Sequence, residues 1–315
     1  MKTPLVSVVF PTMNRKEMLL DCIESLYTMD WPKDKLEIVI ADNGSKDGSV
    51  QAVRKRFPKV KVIANKNNLG SPVAINQCIL KCKGDFIFRL DDDMIMRKEC
   101  LKELMKVLQS DEKIYGAGYM MYYWDIKNMI RDFGMKFNMW TAKASIGYRD
   151  LIDVNQFNEP FQVDYTPAGT ILFRRNIFLE AGLFDERMFL THEDVDFSIK
   201  AKNLGYKLML VPRAKGHHRK ERGGTISPFM LYHGIRSRMI FMLKNAGFRN
   251  AFFLPMHFLV YLPVRSLQYI LTGRFKHFTT IWKATFDGLF RPWIIAYTND
   301  GKQFKLKDQQ SVLRK

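Results

Sequence analysis

Apolar and polar residues alternate in blocks along the first ninety residues of this chain, and the blocks predict strands and helices in turn. Short apolar runs, most of them rich in β-branched residues, predict buried strands at residues 5–10, 36–41, 60–64 and 86–90. Apolar residues at helical spacing predict helices at 16–28 and 71–82. Between them, Ser45 and Asp47 can cap a helix that runs to about residue 57. This alternation is typical of an α/β fold with a mostly parallel, doubly wound central sheet.

The middle of the chain is less regular. The pattern predicts further elements, namely strands at 114–123, 163–173 and 207–211 and a helix at 192–204. Residues 119–140 are crowded with Met, Tyr, Trp and Phe. We expect most of these side chains in the core and a minority in a groove for an acceptor substrate.

From about residue 225 the pattern becomes helical. Residues 250–264 carry no charged side chain and are bracketed by Arg249 and Arg265. This run is short of the roughly 20 apolar residues of a transmembrane helix. Basic and aromatic residues follow it, which favours an amphipathic helix lying in a membrane interface, with a buried helical subdomain as the alternative. We expect two domains, at 1–224 and 225–315.

The fourth predicted strand ends in three consecutive carboxylates, Asp91, Asp92 and Asp93. Three buried acids would repel one another without a counter-charge. A divalent cation is the simplest counter-charge, and carboxylate oxygens suit Mg²⁺ or Mn²⁺, which in turn suit a diphosphate. A solvated acidic turn or a helix N-cap is the alternative.

Polar clusters follow all four predicted strands, at residues 11–15, 41–49, 67–70 and 91–93. Ligands of open α/β sheets lie beyond the carboxyl ends of the strands, so these clusters can converge on one crevice. Asp42 is placed to accept hydrogen bonds from a base or a ribose, and Gly44 and Gly48 permit a tight turn. Neither G-x-G-x-x-G nor a P-loop is present, which argues against dinucleotide oxidoreductases and P-loop NTPases.

Positive charge is concentrated at the end of the chain. Residues 213–315 contain 19 Lys/Arg and 4 Asp/Glu, so this third of the chain carries +15 of the formal net charge of +18. The excess favours an anionic partner: a membrane surface, nucleic acid or a phosphorylated ligand. A bland solvated surface is the alternative.

The four cysteines, at positions 22, 78, 82 and 100, form no Cys-x-x-Cys pair, and no signal peptide is expected. Both features favour a cytoplasmic protein with reduced thiols.

The polar clusters resemble those of glycosyltransferase family 2, whose members have the GT-A nucleotide-sugar-binding fold. The order is Pro-Thr-x-Asn-Arg, Asp-Asn-Gly-Ser-x-Asp-Gly, Asn-Leu-Gly and Gly-Asp-x-x-x-x-Leu-Asp-Asp-Asp. Ala168-Gly169-Thr170, Gly182-Leu183-Phe184-Asp185-Glu186 and His192-Glu193-Asp194 extend the likeness, which covers about residues 5–220. The chain is most similar to the rhamnosyltransferase-like branch, which builds cell-surface glycans.

The resemblance implies a role for each matching position. Those expected at the nucleotide-sugar are Pro11, Thr12, Asn14, Arg15, Asp42, Asn43, Gly70, Asn76, Asp91 and Asp92. Those expected at a Mn²⁺ or Mg²⁺ ion are Asp91, Asp93 and either His217 or His218, although adjacent histidines could equally lie on the surface. The family inverts at the anomeric carbon with a single general base, for which Asp194 and Glu193 compete. Capping of a helix is the alternative role for these acids.

The basic region indicates where the acceptor binds. The chain lacks a Gln-x-x-Arg-Trp signature and long apolar spans, so we expect transfer of a single sugar. We expect five residues to meet the acceptor or the membrane: Gly169, which resembles part of the family's acceptor-side strand, and Arg236, Arg238, Lys244 and Arg265. We therefore expect an enzyme peripheral on the inner face of the cell membrane, acting on a lipid-linked glycan.

Three other functions are weighed against this one. A sugar nucleotidyltransferase would usually carry glycine in the loop after the first strand, and residues 11–15 contain none. A nucleic-acid-binding protein would explain the charge, but the tail lacks a recognised motif, so we expect no nucleic-acid partner. A catalytically inactive, membrane-bound scaffold is disfavoured by the intact carboxylates.

Overall fold

The computed structural model describes residues 3–167, 169–219, 226–297 and 303–305. Its first half alternates strands and helices, as the apolar pattern predicts. The elements are β1 (Val6–Thr12), α1 (Lys16–Tyr27), β2 (Leu36–Asp42), α2 (Ser49–Arg56), β3 (Lys61–Ala64), α3 (Ser71–Lys81), β4 (Phe86–Leu90), β5 (Met94–Met96) and α4 (Cys100–Ser110).

The middle of the chain completes the sheet and adds short hairpins. Its elements are β6 (Ile114–Tyr123), β7 (Ile130–Asp132), β8 (Met135–Asn138), β9 (Lys143–Ile146), β10 (Phe161–Val163), β11 (Thr170–Arg174), α5 (Ile177–Glu180), α6 (Glu193–Asn203) and β12 (Lys207–His218).

The C-terminal part is helical. It consists of α7 (Pro228–Asn245), α8 (Asn250–Met256), a π-helical segment (His257–Tyr261), α9 (Leu262–Leu271), α10 (Phe275–Phe290) and a small hairpin, β13 (Ile294–Tyr297) with β14 (Gln303–Lys305). Within the described residues, none of these helices has both the length and the apolar character needed to cross a membrane. The division at 224/225 stays a prediction.

The central sheet is mixed. Its strand order is β10-β12-β6-β11-β4-β1-β2-β3, with β5 and β7 added at the side. The predicted parallel arrangement holds for β3, β2, β1 and β4, which run side by side in one direction. Strand β11 then enters antiparallel between β4 and β6, whereas β12 pairs parallel with β6 and the edge strand β10 is antiparallel to β12. The predicted α/β class is therefore correct, and the carboxyl ends of β1, β2 and β4 meet at one edge.

Two predicted strands have different bounds in the structure. The strand expected at 163–173 is two strands, because the chain leaves the sheet edge at β10 and re-enters at its centre as β11. The strand expected to close at 211 continues to His218. The pairing of β12 with β6 shifts register between Val211 and Lys215. Pro212 lies in this interval, so its missing N–H costs no hydrogen bond between these two strands.

Apolar side chains pack on both faces of the sheet. Val8 and Phe10 of β1 face one core, with α1, α2 and α4, while Val9 faces the other, with α3, α5 and α6. The four cysteines are free and buried, as expected. Helix α7 shares a third cluster with α6 and the loop before it, to which Phe241, Val195 and Met188 belong. The helical region is thereby packed against the sheet domain.

Candidate active site

Two cavities of about 380 and 450 Å³ adjoin at the carboxyl edge of the sheet. We call them the first and the second cavity. The first is lined by the loops after β1, β2, β3 and β4, with His218 at the end of β12. The second is lined by the start of α6, the loop before β11 and part of α7. Asp91, Ser71 and Leu190 line both, so each cavity can hold one reactant beside the other.

Asp42 ends β2 behind the first cavity. Its Oδ2 accepts from the backbone N–H groups of Gly44 and Ser45, at 3.1 and 2.9 Å. Its Oδ1 is buried and has no hydrogen-bond partner among the described residues. A buried carboxylate oxygen without a donor is costly, so this atom is suited to a donor supplied by a ligand.

The loops around Asp42 are tied together by asparagines. The Asn14 N–H donates to Ser45 Oγ, and its Oδ1 accepts from Lys46 N, both at 2.8 Å. Asn43 lines the first cavity and donates to the Gly70 carbonyl at 3.2 Å. These contacts hold the loops after β1, β2 and β3 at one fixed separation.

Asn76 lies outside both cavities. Its Nδ2 donates to the Phe184 carbonyl and to Glu186 Oε1, both at 2.9 Å, and its Oδ1 accepts from Phe184 N. The side chain is buried in α3 and fixes the turn before α6. The expectation that it meets the nucleotide-sugar is therefore wrong, because all of its polar atoms face that turn.

The carboxylate triplet receives its counter-charge from Arg15. The Nη1 atom of Arg15 lies 3.0 Å from Asp92 Oδ1 and 2.8 Å from Asp93 Oδ2. In addition, Thr12 Oγ1 donates to Asp92 Oδ2 at 2.7 Å. Burial nevertheless raises the pKa of Asp92 to about 6, against the opposing effect of Arg15. Asp92 is thus held by protein groups, and the sequence argument for a cation overlooked Arg15.

Asp93 faces His218 across the first cavity. Its Oδ1 has no hydrogen-bond partner among the described residues, and His218 Nε2 lies 3.5 Å from it. Successive residues of a strand point to opposite faces, so His217 instead packs on the rings of Tyr122 and Trp124. Of the two histidines, His218 is the one that lines the cavity.

The residues present fit a divalent cation held jointly with a ligand. Over the described part of the chain, no three His, Cys, Asp or Glu side chains form a ready-made metal cluster. Mg²⁺ and its analogues, however, are usually held by one or two carboxylates together with substrate phosphates. Asp93 Oδ1, lacking a protein donor, and the nearby His218 supply that smaller set.

Gly169 fixes the position of Asp91. A Cβ atom at Gly169 would lie 2.4 Å from Asp91 Oδ2, which no side chain can accommodate without a shift. The Gly169 carbonyl is held by the Tyr119 hydroxyl at 3.2 Å. Gly169 thus lines the second cavity and lets the Asp91 carboxylate stand where the two cavities meet.

Glu193 and Asp194 begin α6 at the floor of the second cavity. Glu193 is buried, with Oε1 3.5 Å from Arg89 Nη2. Burial, reinforced by the charge of Asp194, raises the pKa of Glu193 to about 8 although Arg89 opposes the shift. Asp194 is half-buried, and its Oδ1 accepts from Val195 N at 2.8 Å.

The turn that presents these two acids is strained. Thr191 and His192, immediately before α6, have φ values of 65° and 66°. Non-glycine residues rarely adopt the left-handed region, and such outliers cluster at functional sites. This backbone conformation comes directly before Glu193 and Asp194, which begin α6 at the second cavity.

Three basic residues expected at the acceptor or the membrane have different surroundings. Arg236 is buried in α7 and donates to the carbonyls of Arg187, Arg291 and Pro292. Lys244 lies 2.8 Å from both Asp185 and Asp196. Both therefore hold the helical region to the sheet domain, and the expectation that they meet acceptor phosphates is wrong. Arg265, by contrast, is exposed on α9 beside Gln268.

Arg238 alone of the three α7 cations lines the second cavity. It donates to the Thr141 carbonyl, and its guanidinium lies 5.1 and 5.4 Å from the ring centres of Phe253 and Tyr261. Burial lowers the pKa of Arg238.

Several lining residues could not be found from local motifs. The first cavity also includes Arg131, Phe189, Phe229 and Met230, and the second includes Phe137, Lys143 and Tyr165. Arg131 and Phe137 fall in the 119–140 stretch, whose aromatic character was the available signal. The others come from elements whose approach to the cavities depends on long-range packing.

The chain is similar to known glycosyltransferases. The family model described as "Glycosyl transferase family 2" matches residues 7–181. Glycosyltransferase AglE of Haloferax volcanii is 22% identical over 286 residues, covering 90% of this chain and 89% of that protein. A Methanococcus voltae enzyme named dolichyl N-acetyl-alpha-D-glucosaminyl phosphate 3-beta-D-2,3-diacetamido-2,3-dideoxy-beta-D-glucuronosyltransferase is 24% identical, covering 85% and 82%.

A solved structure has the same fold. Mannosyltransferase PcManGT from Pyrobaculum calidifontis, in complex with GDP-Man and Mn²⁺, aligns with a TM-score of 0.56 at 15% identity. The alignment covers 92% of this chain and 88% of that one. The likeness confirms the predicted GT-A fold.

Proposed function

This chain belongs to glycosyl transferase family 2 and is a glycosyltransferase, and from that premise we propose that it transfers one sugar, with inversion, from a nucleotide-sugar to a lipid-linked glycan. The observation that carries the proposal is the pair of adjoining cavities that share Asp91. Among the described residues, the first is lined by Asp93, whose buried Oδ1 has no protein donor, and has Asp42 Oδ1, in the same condition, behind it. The second ends in two further carboxylates, Glu193 and Asp194.

The first cavity would hold the nucleotide-sugar. Asp42 Oδ1 would accept from the nucleobase or ribose, and Pro11, Thr12 and Asn43 belong to the same loops. Asp93 and His218 would hold a Mn²⁺ or Mg²⁺ ion, which would neutralise charge on the departing nucleoside diphosphate. Asp91, at the junction, would face the sugar or the diphosphate.

Asp194 would be the general base. In an inverting displacement, the acceptor hydroxyl must lose its proton as it attacks, so one carboxylate in the second cavity suffices. Because the pKa of Glu193 is raised to about 8, this residue holds a proton at neutral pH and is a poor proton acceptor there. Asp194 is the other acid at the helix start and is less buried.

The acceptor would be a glycan on a membrane-bound lipid carrier, as in cell-surface polysaccharide or glycoprotein synthesis. The Methanococcus voltae relative carries a dolichyl phosphate acceptor in its name, which supports this class. The charge of +15 over residues 213–315 also suits an anionic membrane surface better than a neutral one. The enzyme would then act peripherally, from the cytoplasmic side.

Calorimetric binding tests the donor half of the proposal. UDP, GDP, dTDP and their sugars would be titrated into the protein with Mn²⁺ and again with EDTA. We expect one nucleotide class to bind in a metal-dependent way, and Asp42→Asn to weaken that binding while the protein stays folded. A folded protein that binds none of them would contradict the proposal and favour an inactive scaffold.

A further inference from the structure

We propose that the outward face of α8, the π-helical segment, α9 and α10 is a docking surface for an anionic lipid bilayer. We call it the C-terminal apolar face. Its role, which is to bring the enzyme to a lipid-linked acceptor, rests on the proposed function. The observations that support the surface itself do not depend on that function. The physical case rests on three features: apolar residues on the exposed side, a one-sided charge distribution and proximity to the second cavity.

Residues 250–271 form a helical run that is apolar on both sides. Its inner side is buried through Phe253, Leu262 and Tyr269. Its outer side follows the same helical spacing but faces outward, with Leu259 and Leu271 exposed by 75% and 76%. Also exposed on this run are Phe252, Met256, Phe258, Val260, Val264, Leu267 and Ile270. Arg265 and Gln268 are exposed on α9 between these residues, but a helical run with this much exposed apolar surface normally has apolar surroundings on its outer side as well.

Helix α10 extends the same face. It packs inward through Ile281 and Ala284, while four large apolar side chains are exposed at spacings of seven, four and four residues: Phe275, Trp282, Phe286 and Phe290. Trp282 Nε1 donates to Ser266 Oγ of α9 at 3.0 Å, which holds the two helices together. The exposed residues therefore lie on neighbouring helices joined by a short turn.

The charges around this face have one sign. Residues 226–290 contain eight Lys/Arg and one acid, Asp287, which is buried and so does not contribute to the exposed face. Arg236 and Lys244 are used in packing, as described above, whereas Arg265, Arg274, Lys276 and Lys283 are exposed. Apolar and aromatic side chains among exposed cations match the headgroup and acyl boundary of an anionic membrane. A second copy of the chain would bring like charges together, which disfavours self-association.

The face lies next to the second cavity. Arg238 lines that cavity, and its guanidinium contacts Phe253 of α8 and Tyr261 of the π-helical segment. The inner side of the helical run thus supports the cavity, and its outer side forms the apolar face. A carrier lipid in the bilayer would present its glycan beside the proposed base without any helix crossing the membrane.

Vesicle flotation tests the surface with the full chain. The probes are phosphatidylcholine vesicles with and without phosphatidylglycerol, at low and at moderate salt, with no nucleotide, metal or acceptor present. We expect the wild type to float with the anionic vesicles, and the double variant Leu259→Glu/Leu271→Glu to lose at least about tenfold in partitioning. The matched control is Leu179→Glu/Val154→Glu, which adds the same charge at positions 81% and 72% exposed in the sheet domain.

The control should float like the wild type, and thermal unfolding checks that each variant is folded. If Leu259→Glu/Leu271→Glu fails to fold, Phe275→Glu on α10 replaces it. The proposal is overturned if the wild type ignores anionic vesicles at both salt concentrations, or if the variant floats equally well. It is also overturned if the free wild type is a dimer that Leu259→Glu/Leu271→Glu converts to monomers. Vesicle binding without nucleotide binding would contradict the proposed function and leave this surface standing.

Discussion

Two acidic clusters lie at the same edge of the molecule, and they differ in how their charge is compensated. Asp91–Asp93 follows β4, and Glu193–Asp196 begins α6; each places three acids within four residues. In the first, Arg15 reaches two carboxylates at once. In the second, Asp196 is fully buried among Lys200, Lys244 and Asn245. Glu193, by contrast, has a single cation near it among the described residues, Arg89, at 3.5 Å.

The difference shows that acids adjacent in sequence can have separate tasks. A buried carboxylate with several close cations contributes to stability, whereas one with few partners shifts its pKa or awaits a ligand. By this criterion we expect Asp196 to be structural and Glu193 and Asp93 to belong to the chemistry, to which the proposed function adds Asp194. Each assignment can be tested by a change at one position.

Asp194→Asn should give the largest effect. Asparagine retains an Oδ1 acceptor for the Val195 N–H but cannot take a proton. We expect sugar transfer to fall by about 10²–10⁴-fold, the usual contribution of a general base. Initial rates with the donor identified by calorimetry measure it, and nucleotide affinity and thermal unfolding serve as controls. Normal turnover by the variant would remove Asp194 from the mechanism.

Asp196→Ala should affect stability instead. The carboxylate has zero exposure, and Lys244 Nζ and Asn245 Nδ2 bond to it at 2.8 and 2.9 Å. Each lost hydrogen bond to a charged group costs about 1.5–3 kcal/mol, and Asp196 accepts several, although Lys244 is exposed and is not left as a buried charge. Lys244 keeps Asp185, so we expect a loss of free energy of unfolding of about 3 kcal/mol.

Denaturant unfolding measures this loss, and Asp196→Asn, which keeps the acceptor for Asn245, should lose less. If Asp196→Ala unfolds like the wild type but transfers no sugar, then Asp196, and not Asp194, would be the better candidate for the general base.

Asp93→Asn should weaken metal-dependent nucleotide binding. The change removes the charge of the carboxylate whose Oδ1 lacks a protein donor. We expect the affinity with Mn²⁺ to fall by at least about 10–100-fold, the range seen when residues around a metal are altered. Calorimetry with and without EDTA measures it.

The adjacent histidines sharpen this test. His218→Asn should weaken Mn²⁺-dependent binding, because His218 faces Asp93, whereas His217→Asn should leave it unchanged, because His217 packs on Tyr122 and Trp124. Equal effects of the two substitutions would argue against a cation between Asp93 and His218.

The sequence predicts the local part of this architecture well. The helices and strands up to β4 depend on periodicity within a dozen residues, and their bounds agree within a few positions. The insertion of β11 between β4 and β6 could not be read from periodicity, because apolar runs do not reveal their neighbours.

The candidate site shows the same limit. The residues after β1, β2 and β4 could be assembled because parallel strands bring their carboxyl ends together. The roles of Arg15, Arg236 and Lys244 depend on partners 48 to 78 positions away in the chain. Local sequence does not reveal whether a basic residue binds a ligand phosphate or a carboxylate or carbonyl of the protein itself.

Arg15→Gln should produce the smallest effect, and one that depends on pH. Because its pKa is raised to about 6, Asp92 favours folding most below its ordinary pKa near 3.8, and this contribution is lost as the pH rises through 6. Without Arg15 the ionised Asp92 lacks its partner, so we expect the variant's free energy of unfolding at pH ~7.5 to be about 1 kcal/mol below that of the wild type. The difference is small because Arg15 is 44% exposed and therefore screened. Little change is expected near pH ~4. Urea unfolding measures both, with Arg56→Gln, from the exposed Arg56–Glu24 pair, as control. An equal loss at both pH values would mean that Arg15 stabilises the loop by packing rather than by its charge.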